Sequence, residues 1–163
     1  MGAGKTTVGG RLADRLGWGF LDLDREIERQ AGQSIRDIFQ TDGEARFRER
    51  ESKALEALVA ETALIVATGG GVVVRPANRD FMARVGGSVW IDPPFEVLAA
   101  RLAGYSDGDR PLWRDLDQVR ALWEERRPLY GRSTTRVPVA AEDSVDCVVD
   151  RVVASLGDGL CST

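Results

Sequence analysis

Apolar residues fall four apart at Val8, Leu12 and Leu16 in the stretch TTVGGRLADRLG, and this spacing predicts an amphipathic helix that Gly17 stops. FLDLD predicts a short strand ending in acids, and a helix over about Arg25 to Ala31 closes at Gly32. Ser34 and Asp37 have capping-box spacing, and a long helix is expected from about Glu44 to Glu61. ALIVAT predicts a buried strand broken by Gly69, Gly70 and Gly71. A helix from Pro76 to Val85 leads to the strand SVWID, and another runs from about Pro94 to Leu102. The polar, glycine-containing GYSDGDRPLW then interrupts the pattern. Asp115 can cap a helix through LDQVRALWEERRPLY, followed by a strand over Arg136 to Val139 and a helix over Ser144 to Leu156. Strand and helix segments alternate throughout, which predicts an α/β fold rather than a bundle or a sandwich.

The 163 residues suffice for one domain, 1–163, with no linker or repeat to divide them. A lid is expected over about 104–115 and a loose tail over about 157–163. The hydrophobic share of 43% and the charged share of 29% are those of a soluble globular protein. No apolar run approaches the roughly 18 residues that span a bilayer, and no signal peptide is read at the front, so a cytoplasmic location without membrane partners is expected. A net charge of -4 with a pI near 5.0 argues against nucleic acid as a partner. Cys147 and Cys161 offer neither a metal spacing nor a disulfide framework and read as core or tail thiols. Histidine is absent, which excludes a His base, a His triad and a His-ligated metal.

Candidate chemistry begins at MGAGKTTVGG. A glycine turn opening a helix aims backbone N–H groups and the helix dipole at one anion. Lys5 would reach the terminal phosphates and Thr6 would offer its hydroxyl to Mg²⁺. The plainer alternative is a glycine turn before a helix, and the nucleotide reading is favoured over it. Asp22 and Asp24, two apart at the end of the predicted strand, can project to one side, or Asp24 can simply cap the next helix. Gly69 to Gly71 present a bare backbone wall. Arg48 beside Arg46 and Arg50, Arg110 in the polar loop, and Arg126 beside Arg127 provide forks for carboxylate or phosphate.

Taken in order, MGAGKTTVG, FLDLD, DGEARFRERE, ATGGGVV, the DRPL loop and RRPLY resemble the shikimate kinase family over nearly the whole chain. These are small P-loop kinases with a nucleoside-monophosphate-kinase-like fold. The resemblance implies three layers around a central parallel sheet of order 2-3-1-4-5, a lid, and a monomer. It implies transfer of the ATP γ-phosphoryl group to the 3-hydroxyl of shikimate, a step toward chorismate and the aromatic amino acids. It assigns ATP to Gly2, Ala3, Gly4, Lys5, Thr6, Thr7, Arg101 and Arg110. Mg²⁺ falls to Thr6 and, through water, to Asp22. Shikimate falls to Asp24, Arg48, Gly70, Gly71 and Arg126. Lys5, Asp24 and Arg110 are the implied catalytic residues.

Family members carry an apolar strand and a further glycine ahead of the point where this chain begins. Strand 1 is therefore expected to be missing or truncated, at a cost on the order of several kcal/mol against a total stability of roughly 5–15. Two readings stay open: a kinase whose leading strand lies ahead of Met1 in the gene, and a non-catalytic P-loop fragment. A kinase for another small hydroxy acid, such as gluconate, would change only the acceptor.

Overall fold

The structure is a computed structural model that describes residues 2–103 and 116–156. The expected lid with Arg110, the capping Asp115 and the tail with Cys161 lie outside the described residues. The elements run α1 (Lys5–Leu16), β1 (Gly19–Asp22), α2 (Leu23–Ala31), α3 (Ile35–Thr41) and α4 (Gly43–Glu56). A 3-10 turn (Ala57–Ala60), β2 (Leu64–Ala67), a second 3-10 turn (Val72–Val74), α5 (Pro76–Val85) and β3 (Val89–Asp92) follow. The chain continues with α6 (Phe95–Ala103), α7 (Leu116–Tyr130), β4 (Thr135–Pro138) and α8 (Val145–Leu156).

Gly17 and Gly32 close α1 and α2 in the left-handed conformation that the stop signals require. Ser34 caps α3 by accepting from the Asp37 N–H at 3.1 Å. Two expectations change. The strand written as FLDLD ends at Asp22, because the Asp22 carboxylate accepts from the N–H groups of Asp24 and Arg25 and starts α2 there. Asp22, not Asp24, is thus the cap, and Asp24 stands in the first helical turn. The long helix stops at Glu56 rather than Glu61, tightening into the 3-10 turn. Cys147 is exposed on α8, so it is not a core thiol.

Strands β1 and β2 pair in parallel, Gly19 to Leu64 through Asp22 to Ala67. Strands β3 and β4 pair in parallel, Val89 to Thr135 through Asp92 to Pro138. Among the described residues these remain two separate two-stranded sheets. The pairs are what the order 2-3-1-4-5 leaves when its strand 1 is taken away. Both sheets nevertheless share one helical layer. Ile65 of β2 and Val89 and Ile91 of β3 pack in a single cluster with Val8 and Leu12 of α1 and Val148, Val149 and Val152 of α8. Residues 64–66 and 89–91 stay only half-buried, whereas strands in a fully covered parallel sheet are buried on both faces.

A second core, with Leu23, Ile27, Ile38, Phe47, Leu55, Val72 and Phe81, joins α2, α3, α4 and α5. The end of β3 steadies α7. Buried Asp92 accepts from Arg136 of β4 at 2.7 Å and lies 3.4 Å from Arg127 of α7, and both guanidiniums stack on Trp90. Among the described residues no helix is long and apolar enough to cross a membrane.

Candidate active site

The front turn has the backbone of an anion cradle. Gly2 and Gly4 adopt φ of 56° and 84°, which only glycine takes without strain, and Gly4 precedes Lys5 as the cap of α1. No side chain caps this helix and its first turn carries no acid, so the N–H groups and the dipole are left to an anionic ligand. Lys5 begins α1, with Thr6 and Thr7 exposed in its first turn. Thr6 Oγ1 donates to Asp22 Oδ2 at 2.7 Å, bringing the hydroxyl of α1 and the carboxylate at the end of β1 together. Arg101 of α6 donates to the Gly2 carbonyl at 3.2 Å, which sets its guanidinium against the same loop.

The remaining candidates converge on the glycine turn after β2. A Cβ built on Gly69 would stand 2.7 Å from Asp24 Oδ1 and 3.2 Å from Glu51 Oε1. One built on Gly71 would collide with the guanidinium of Arg48. The absence of side chains at 69 and 71 is therefore what lets an acid from α2 and an arginine from α4 close on this backbone. Gly71→Ala is expected to push Arg48 aside and lower kcat/KM by on the order of 10²-fold, with the fold intact by circular dichroism. A change under threefold would separate Gly71 from the site.

Arg48 is held from both sides. Its Nη1 lies 2.9 Å from Glu51 Oε2, a carboxylate with a side chain 1% exposed, and its Nη2 lies 3.2 Å from exposed Glu44. Burial pushes the Glu51 carboxyl above its ordinary value of 4.5 and Asp24 adds to the rise, while Arg48 and Arg126 offset only part of it. Glu51 Oε1 and Arg126 Nε are buried without a protein hydrogen-bond partner, an arrangement that a polar ligand would complete. Tyr130, at the end of α7, donates its hydroxyl to the Gly70 carbonyl at 2.7 Å.

The raised Glu51 pKa has a thermodynamic consequence. The folded chain holds this proton more tightly than the unfolded chain does. The stabilisation is complete below about pH 4.5 and is lost as pH rises through the higher folded pKa. Glu51→Gln is expected to remove this component from the slope of Tm against pH. An unchanged slope would place the titration elsewhere.

Two members of this cluster were not singled out from the sequence. Glu51 lies within DGEARFRERE, three residues after Arg48, and that helical spacing is the signal that could have found it. Tyr130 ends RRPLY and has no comparable local signal. Arg46 and Arg50, by contrast, stay away from the site. They line a charged groove of about 500 Å³ with Asp42, Glu49 and Lys53, and pair there with Glu49 and Asp42.

Comparison with known proteins decides the family. The shikimate kinase family model matches residues 1–157. The chain belongs to the shikimate kinase family. A shikimate kinase of a Nostoc species is 43% identical, over 100% of this chain and 90% of that protein. The shikimate kinase of Ruegeria pomeroyi is 45% identical, over 96% of this chain and 80% of the relative. Among solved structures, shikimate kinase from Acinetobacter baumannii in complex with shikimate has a TM-score of 0.86 at 37% identity, covering 94% of this chain and 86% of that one. The enzyme from Aquifex aeolicus has a TM-score of 0.82 at 34% identity, over 100% and 95% of the two chains. The chain is thus an ATP-dependent phosphotransferase of aromatic amino acid biosynthesis that phosphorylates shikimate, built on the P-loop α/β fold.

Proposed function

We propose that the chain folds as one kinase domain in which the front loop holds ATP and the glycine turn after β2 holds shikimate. The carrying observation is the convergence of Asp24, Glu51 and Arg48 on Gly69 and Gly71, with Arg126 in electrostatic reach of Glu51, while Asp22, two residues from Asp24, bonds Thr6 of the phosphate loop. Shikimate offers one carboxylate and three hydroxyls. Arg48 and Arg126 supply bidentate donors for the carboxylate. Arg48 is pre-aimed by buried Glu51, and its second contact, to exposed Glu44, is weak enough to yield to a ligand. Asp24 accepts from the 3-hydroxyl, orients it and takes its proton as the new O–P bond forms and the bond from the γ-phosphorus to the bridging oxygen breaks, with ADP leaving. The amides of Gly70 and Gly71 complete the cradle.

Gly2, Ala3, Gly4 and Thr7 wrap the ATP phosphates, Lys5 neutralises the transferring group, and Arg101 closes the loop from α6. Arg110, outside the described residues, would add a second cation from a lid that excludes water. Thr6 and Asp22 fit Mg²⁺, since their hydroxyl and carboxylate are hard oxygen donors already 2.7 Å apart. Bound there, Mg²⁺ supplies charge neutralisation for the phosphates. The chain works as a cytoplasmic monomer, without nucleic acid or membrane partners.

A coupled ADP-release assay with shikimate, gluconate and AMP tests the acceptor. Asp24 would repel the phosphate of AMP, so response to shikimate alone is expected. The assay is run on this chain and on one extended ahead of Met1 by an apolar strand and a glycine. Activity of either with another acceptor and not with shikimate would overturn the reading.

A further inference from the structure

Arg126 and the glycine turn reach the acceptor site from different directions, one on α7 and the other after β2. A single phenol joins them. Tyr130 lies one helical turn beyond Arg126, and its hydroxyl donates to the Gly70 carbonyl at 2.7 Å across 60 residues of chain. Arg126 comes close enough to the same phenol to oppose the rise that burial causes in its pKa. From the opposite side, buried Asn78 donates to the Val72 carbonyl at 3.0 Å. The anchored turn runs through Gly69, Gly70 and Gly71, the residue type with the most backbone freedom to lose.

The peptide group supplies the next step. The Gly70 carbonyl and the Gly71 N–H belong to one planar unit, and in a trans peptide they point in opposite directions. Holding the carbonyl against Tyr130 therefore turns the Gly71 N–H away from α7. Gly71 is also where Arg48 lies against the backbone.

We propose that Tyr130 is a positioning residue of the acceptor site. Its hydroxyl fixes the Gly70–Gly71 peptide plane, aims the Gly71 N–H at the acceptor, and holds Arg126 in the same frame. The role rests on the reading above that this turn and Arg126 bind the acceptor. It differs from a contact with substrate, because Tyr130 acts only through its neighbours. Burial raises the phenol's pKa, against the opposing pull of Arg126 and Arg48, so the donor proton stays in place at neutral pH.

Tyr130→Phe keeps the ring and deletes the bond. The expected kinetic result is a KM for shikimate raised about tenfold, the size of one lost hydrogen bond, with the KM for ATP unchanged and kcat within threefold. Amide hydrogen exchange of the ligand-free protein gives a second readout that needs no activity. Exchange at residues 70–72 should accelerate about tenfold while the cores of α1 and α4 keep their protection. Wild-type exchange at 70–72 would overturn the proposal, as would a loss of protection spread evenly over the chain. Wild-type shikimate KM in an active variant would also overturn it. If the parent chain phosphorylates no shikimate, the acceptor reading fails separately, and the exchange experiment still decides whether Tyr130 sets the turn.

Discussion

Asp24→Asn is expected to lower kcat by roughly 10²–10⁴-fold, the usual size of a general-base contribution, while the Kd for ATP stays within about twofold. The split follows from where Asp24 stands. It occupies the first turn of α2, against Gly69 and within electrostatic reach of Glu51, whereas Asp22 just before it caps the helix and bonds Thr6 of the phosphate loop. Asparagine keeps the size and one accepting oxygen, so the acceptor can still be seated, but it cannot take the hydroxyl proton. Single-turnover phosphoryl transfer and ATP binding by calorimetry separate the two effects. Turnover within threefold of the parent would remove Asp24 from the chemistry. Loss of ATP binding would instead mean that the two carboxylates divide their work differently.

Arg48→Met is expected to damage both stability and function, for two different reasons. The side chain is 15% exposed and its partner Glu51 1% exposed, so removing the cation strands a carboxylate in the interior. Breaking such a pair costs about 3–5 kcal/mol. Glu51 can escape part of this by taking up a proton, since burial already favours its neutral form. The loss should therefore be larger at pH 8 than at pH 5, as read by urea unfolding at both values. The double variant Arg48→Met with Glu51→Leu should recover much of the stability and none of the shikimate binding. Recovery of binding in that double variant would show that Arg48 serves only its neighbour.

How much of this was legible before the structure depends on the kind of signal. Helix ends with glycine or proline were readable, since Gly17, Gly32 and Pro76 act through their own backbones. The end of α4 carries no such mark, because ALEALVAET continues as a good helix former while the chain tightens into a 3-10 turn at Ala57. FLDLD misled in a different way. Alternation reads Asp24 as strand, yet a carboxylate at Asp22 that accepts two N–H groups ends the strand first. Within the site, the phosphate loop and the glycine wall were visible as local composition. Glu51 was half visible, through its helical spacing from Arg48. Its burial depends on α2 and the glycine turn packing over it, which no local window contains. Tyr130 stood in view at the end of RRPLY, but its role was hidden, because its partner is a backbone carbonyl far along the chain.

The tie between Thr6 and Asp22 has a practical side. One carboxylate accepts from the first turn of α1 and caps α2, so whatever draws on it is felt at the starts of both helices at once. Hydrogen exchange at residues 24 and 25 would therefore report on occupancy of the front loop.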